Sequence, residues 1–124
     1  MPVFNQYNSN KGISVIPGST VALFNAETLA APAVSVVIAP ADAGPVGRRA
    51  IQFSVDFASA PTASVSIWGS NQYPTTTPVA GVQIGTSITT QHAGMTDTSG
   101  FAFYWAQLDS YAAGGALTVS AHVS

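Results

Sequence analysis

Ala50-Ile-Gln-Phe-Ser-Val-Asp-Phe57 is the stretch on which the fold of this chain turns. In an extended chain successive side chains point to opposite faces, so Ile51, Phe53, Val55 and Phe57 share one side and Gln52, Ser54 and Asp56 the other. Large apolar groups on one face and polar groups on the other describe a strand with one side in a core and one in water. The same period continues beyond the turn-forming Ala60-Pro61-Thr62. In Ala63-Ser-Val-Ser-Ile-Trp-Gly69, Val65 and Ile67 point inward and Ser64, Ser66 and Trp68 outward. The short spacing predicts that these two runs pair as a hairpin.

Two further runs repeat the pattern near the end of the chain. Gly100-Phe-Ala-Phe-Tyr-Trp-Ala106 sets Phe101, Phe103 and Trp105 against Ala102 and Tyr104, and Ala116-Leu-Thr-Val-Ser-Ala-His-Val123 sets Leu117, Val119, Ala121 and Val123 against Thr118, Ser120 and His122. Weaker alternation marks Ile13 to Ile16, Thr20 to Asn25, Ala33 to Ala39 and Val82 to Thr90, the last interrupted by Gly85. Helix-forming residues occur together only in Asn25-Ala-Glu-Thr-Leu-Ala-Ala31, which Pro32 ends, so a loop or single turn is expected there. About eight short strands punctuated by Gly and Pro predict an all-β fold, a two-sheet β-sandwich of jelly-roll type. Residues 13–124 form the expected sandwich domain. Residues 1–12, with Phe4 and Tyr7 among Asn5, Gln6, Asn8 and Asn10, show neither strand nor helix spacing and are expected to be an extended N-terminal arm that orders on a partner.

The composition narrows the functional classes. At 124 residues and 47% hydrophobic content the chain can build one core without disulfides, and it has no cysteine with which to form them. Charged residues make up 6%, against about 25% in an ordinary domain. Such a surface is wetted by Ser, Thr, Asn and Gln or is covered by other chains. A net charge of −2, with Arg48-Arg49 the one basic pair, lacks the electrostatic footprint of a nucleic-acid binder. The opening residues do not read as a secretory signal, and Leu29 to Ala41, broken by Pro32, Ser35 and Pro40, is too short to span a bilayer as a helix. A soluble chain with no membrane or nucleic-acid partner is expected.

Catalytic signals are weak. His92, Asp97 and Ser99 occur together in what reads as one Gly-containing loop, without the strand-turn-helix setting of a nucleophile elbow. Asp97 and Asp109 flank a predicted strand with nothing to assign them acid and base roles. His92 and His122 are distant in sequence and lack ligand-spaced neighbours, so no metal and no cofactor is expected. Gly114-Gly115 reads as a turn. The outward aromatics Trp68 and Tyr104, with Tyr73 in the Pro/Thr-rich loop, form either a sugar-stacking platform or surfaces packed under a neighbouring element.

Ala63-Ser-Val-Ser-Ile-Trp-Gly-Ser-Asn71, then Phe103-Tyr-Trp-Ala-Gln-Leu108, then Gly114-Gly-Ala-Leu-Thr-Val-Ser-Ala121 resemble small β-sandwich proteins of tailed bacteriophage virions. There a strand ends in Gly-Ser-Asn, and an aromatic penultimate strand leads through a short Gly loop into a last strand of alternating Thr, Val and Ser. The likeness covers roughly the second half of the chain, and Gln72-Tyr73-Pro74 departs from it where an acidic and glycine turn is more usual. The resemblance implies a jelly-roll decoration or cement protein, with no catalytic residues, that bridges major capsid subunits on the outside of the virion; few charges, no disulfides and no export signal suit assembly in the host cytoplasm. Expected partners are the major capsid protein, other virion proteins and further copies of the chain as dimers or trimers. The expected contact residues are Phe4, Tyr7, Trp68, Tyr73 and Tyr104. A glycan-binding β-sandwich module is the alternative.

Overall fold

In the computed structural model, residues 13–27, 30–40, 50–72 and 81–124 are described. Among them lie ten strands and no helix: β1 (Ile13–Val15), β2 (Thr20–Glu27), β3 (Ala33–Val34), β4 (Ile38–Pro40), β5 (Ile51–Phe57), β6 (Thr62–Ser70), β7 (Val82–Ile88), β8 (His92–Asp97), β9 (Phe103–Ala113) and β10 (Leu117–Val123). One sheet runs β1-β4-β9-β6-β7, with β3 also paired to β9, and the other runs β2-β10-β5-β8. The β1–β4 ladder is parallel. The other ladders are antiparallel. The proposed arm, with Phe4 and Tyr7, lies outside the described residues.

The two clearest sequence patterns form the middle of the four-stranded sheet. β5 and β10 bury every second residue, and each is flanked by strands on both sides. Phe53, Phe57, Val119 and Val123 are fully buried against Ile38, Ile67, Tyr104 and Leu108 of the facing sheet. Each large apolar side chain so enclosed contributes about 1.5–3 kcal/mol relative to exposure.

The expected β5–β6 hairpin does not form. β5 pairs with β10 and β8, and β6 pairs with β9 and β7, so the intervening residues cross from one sheet to the other. The cause is local hydrogen bonding after β5: Ala58 N–H donates to Ala116 O at 3.0 Å and Ser59 N–H to Gly114 O at 2.9 Å. The chain thus follows the β9–β10 turn and does not fold back on β5. Gly114 (φ 146°) and Gly115 (φ 70°) form that turn in a backbone region that side chains rarely adopt.

Three further expectations change. The loop expected around His92–Asp97 is β8, held by six successive pairs with β5 despite its modest strand propensity. The segment from Asn25 does not leave the sheet, because β2 continues through a bulge to Glu27, where Ala26 takes φ 51° and its N–H donates to Thr118 Oγ1 at 3.1 Å. Ala33 to Ala39 is two strands, divided at Ser35. That residue's hydroxyl accepts from Ala106 N–H at 2.9 Å and donates to Val36 O at 2.8 Å, replacing a ladder bond with a side-chain one.

β9 carries two register shifts against β6. Val65 faces Leu108 but Ser64 faces Ser110, so Asp109 is an extra residue, and Ala63 faces Tyr111 while Thr62 faces Ala113, so Ala112 is another. Such bulges advance the side-chain phase by one residue, and the one at Asp109 returns Tyr111 to the core side.

Candidate functional site

β9 has the opposite phase to the one its sequence suggests. Tyr104, expected outward, is fully buried in the core, with its ring 5.7 Å from Phe53 and 5.9 Å from Phe101. Its hydroxyl donates to Asp97 Oδ2 at 2.6 Å and accepts from Phe101 N–H at 3.0 Å. The phenol satisfies both bonding directions inside the sandwich, so tyrosine is tolerated in a position that alternation assigned to water. Burial pushes the Tyr104 pKa up, and the hydrogen bond to the Asp97 carboxylate pushes it further in the same direction.

Asp97 ends β8 and is itself buried. Besides the Tyr104 hydroxyl it accepts Ser99 O–H at 2.8 Å on Oδ1 and Ser99 N–H at 3.2 Å on Oδ2. Its acceptor oxygens are therefore occupied by the chain's own donors, which hold the Ser99–Phe101 turn to the end of the sandwich. His92 sits at the other end of β8, on the outer face, and pairs with Asp56 directly across the ladder. The His92, Asp97 and Ser99 set accordingly does not converge. Among the described residues no three His, Asp or Glu side chains come together to hold a metal ion.

Trp105 is the residue whose place the sequence pattern missed. Neighbouring Tyr104 faces the core, so strand alternation turns Trp105 to the face away from the other sheet, directly opposite Trp68 on β6. Trp68 is half-buried and donates Nε1–H to Ser66 Oγ at 2.8 Å, while Trp105 is fully buried and donates to Gln107 Oε1 at 3.2 Å. Gly81 lies so close to the Trp105 ring that a Cβ there would be 2.8 Å from it. Of the expected contact residues, Trp68 alone stands outward among the described residues. Tyr104 is interior, and Tyr73, like Phe4 and Tyr7, lies outside them. The signal that would have found the Trp68–Trp105 pair is strand register, which residues 37 positions apart do not reveal.

The outer face of the four-stranded sheet is polar and nearly uncharged. Across its strands run Thr20, His122, Gln52 and Thr96 in one row and Ala22, Ser120, Ser54 and Gly94 in the next. His122 Nδ1 and Thr20 Oγ1 are 2.7 Å apart. Beside the β9 bulges an open cleft of about 480 Å³ is bordered by Pro61, Ser64, Thr89, Ser110 and Tyr111. It has hydroxyls but no carboxylate, imidazole or amine. Among the described residues neither sheet carries a lysine or arginine, since Lys11, Arg48 and Arg49 fall outside them.

No protein-family model, no curated protein and no solved structure matches the chain.

Proposed function

We propose that this chain is a structural protein of a virus particle, a decoration or cement protein that sits on the outside of the shell and bridges major capsid subunits. The observation that carries the proposal is the pair of broad sheet faces with almost no charge. On these faces stand Asp56 and His92, which pair with each other, His122, which bonds Thr20, and Asp109 at a bulge, with no lysine or arginine among the described residues. A surface of this kind suits contact with other chains through neutral polar and apolar groups. The strand order also supports a jelly roll. β2-β10-β5-β8 faces β4-β9-β6-β7, and most consecutive strands alternate between the sheets.

The resemblance of Ala63–Asn71 and of the last two strands to tailed-phage β-sandwich proteins points to the same class. The test is pelleting of the purified protein with particles at low and moderate salt. Retention at both supports a neutral interface, since screening weakens charge-steered binding. Failure to pellet at either salt overturns the proposal. The cleft beside Tyr111 favours a second reading, a glycan-binding module, because its hydroxyls and one aromatic wall fit a sugar; a glycan array tests it.

A further inference from the structure

We propose that β8 is an interface between two copies of this chain, which pair antiparallel about a two-fold axis at Gly94 and join their four-stranded sheets into one. An unpaired strand edge is a template for another strand unless it is interrupted. β1 has three residues and is followed by Pro17. β2 is bulged and carries Ala26 at φ 51°. β7 shifts register against β6 and contains Gly85 at φ 68°. β8 has none of these devices. Its six pairs with β5 are unbroken, it contains no lysine or proline, and no described strand pairs with its other side.

Gly94 supplies a second observation. It does not have the positive φ that favours glycine, and a Cβ added to it would meet only Phe53 O, at the ordinary distance of 3.4 Å. The fold of one chain therefore does not demand glycine here, although glycine weakens a strand and often marks close approach of another backbone. At a two-fold axis a residue meets its own copy, and Gly94 meets Gly94 with no side chain to clash. The same register sets inward Ala93 against Met95 of the second copy, small against large, and outward His92 against Thr96. His92 and Asp97 are already partnered by Asp56 and Tyr104, so joining two copies leaves no charge unpaired. Neutrality along the strand gives a second copy nothing to repel it and offers a charged foreign segment nothing to recognise. One edge ladder buries less than the roughly 1,600 Å² of a standard interface, so the dimer is reversible.

This inference concerns self-association and does not depend on the particle, so failure to pellet with particles leaves it standing and the reverse is also true. Sedimentation velocity of the full chain over a concentration series tests it, using the wild type, Gly94→Lys, Gly94→Asp and an equal mixture of the two variants. The wild type is expected to dimerise with rising concentration. Each variant alone, placing like charges face to face, should associate about fivefold more weakly or worse, and the mixture should recover association as a heterodimer. A β-type circular dichroism spectrum verifies folding, and exposed Thr96→Lys replaces Gly94→Lys if the latter does not fold. A wild type that stays monomeric, variants that dimerise like wild type, or a mixture no better than its components overturns the inference.

Discussion

The Tyr104 hydroxyl donates to Asp97 Oδ2 at 2.6 Å, joining the start of β9 in one sheet to the end of β8 in the other. Both residues are buried, so this bond is a polar tie between layers otherwise held by apolar packing. Tyr104→Phe keeps the ring and removes one donor from a buried carboxylate. It is expected to cost about 1–3 kcal/mol in urea unfolding. Ser99→Ala should cost less, because Ser99 N–H still reaches Asp97. An unchanged midpoint for Tyr104→Phe would contradict the role of the tie.

The raised pKa of Tyr104 gives a signed pH effect. Below the ordinary tyrosine value near 10 both folded and unfolded states keep the proton, and the contribution to stability is complete. Above it the unfolded chain releases that proton while the folded chain retains it, so stability falls as pH rises. Wild-type unfolding free energy should therefore decline above about pH 10 more steeply than that of Tyr104→Phe. Parallel curves would contradict the assignment.

Gly69 faces Phe101 so closely that an added Cβ would overlap the ring. Gly69→Ala should destabilise the fold by about 1–3 kcal/mol. Combining it with Phe101→Leu should recover part of that loss in a double-mutant cycle, and strict additivity would show that the two do not touch.

The legible parts of the sequence were the strands whose two faces differ in chemistry. Ile51–Phe57 and Leu117–Val123 alternate apolar with polar, and both occupy the places their pattern assigns. β9 resists this reading because Phe103, Tyr104 and Trp105 put aromatics on both faces, so alternation alone does not separate core from surface, and the bond from Tyr104 to Asp97 decides it. β8 is not legible as a strand because Ala93, Gly94 and Met95 have weak strand propensity, and a ladder with β5, distant in sequence, supplies the order. The β5–β6 hairpin was expected from closeness in sequence, but sheet membership is set by bonds from Ala58 and Ser59 to residues 114 and 116.

Trp68 and Trp105 face each other across one ladder yet differ in exposure, which separates their expected energetics. Trp105→Ala should cost about 3–5 kcal/mol of folding free energy. Trp68→Ala should cost distinctly less and, if the outer face of its sheet meets a partner, reduce pelleting with particles while leaving the fold intact. Equal destabilisation by the two substitutions would contradict the difference in burial.

The proposal that the chain is a decoration protein is tested most directly by electron cryo-microscopy of virus particles carrying it. The expected result is density outside the shell, at points where major capsid subunits meet, into which the two facing sheets of four and six strands fit. The expected contacts run through neutral sheet faces or edges. Particles whose outer surface shows no such density, while the protein is abundant in the infected cell, would contradict it.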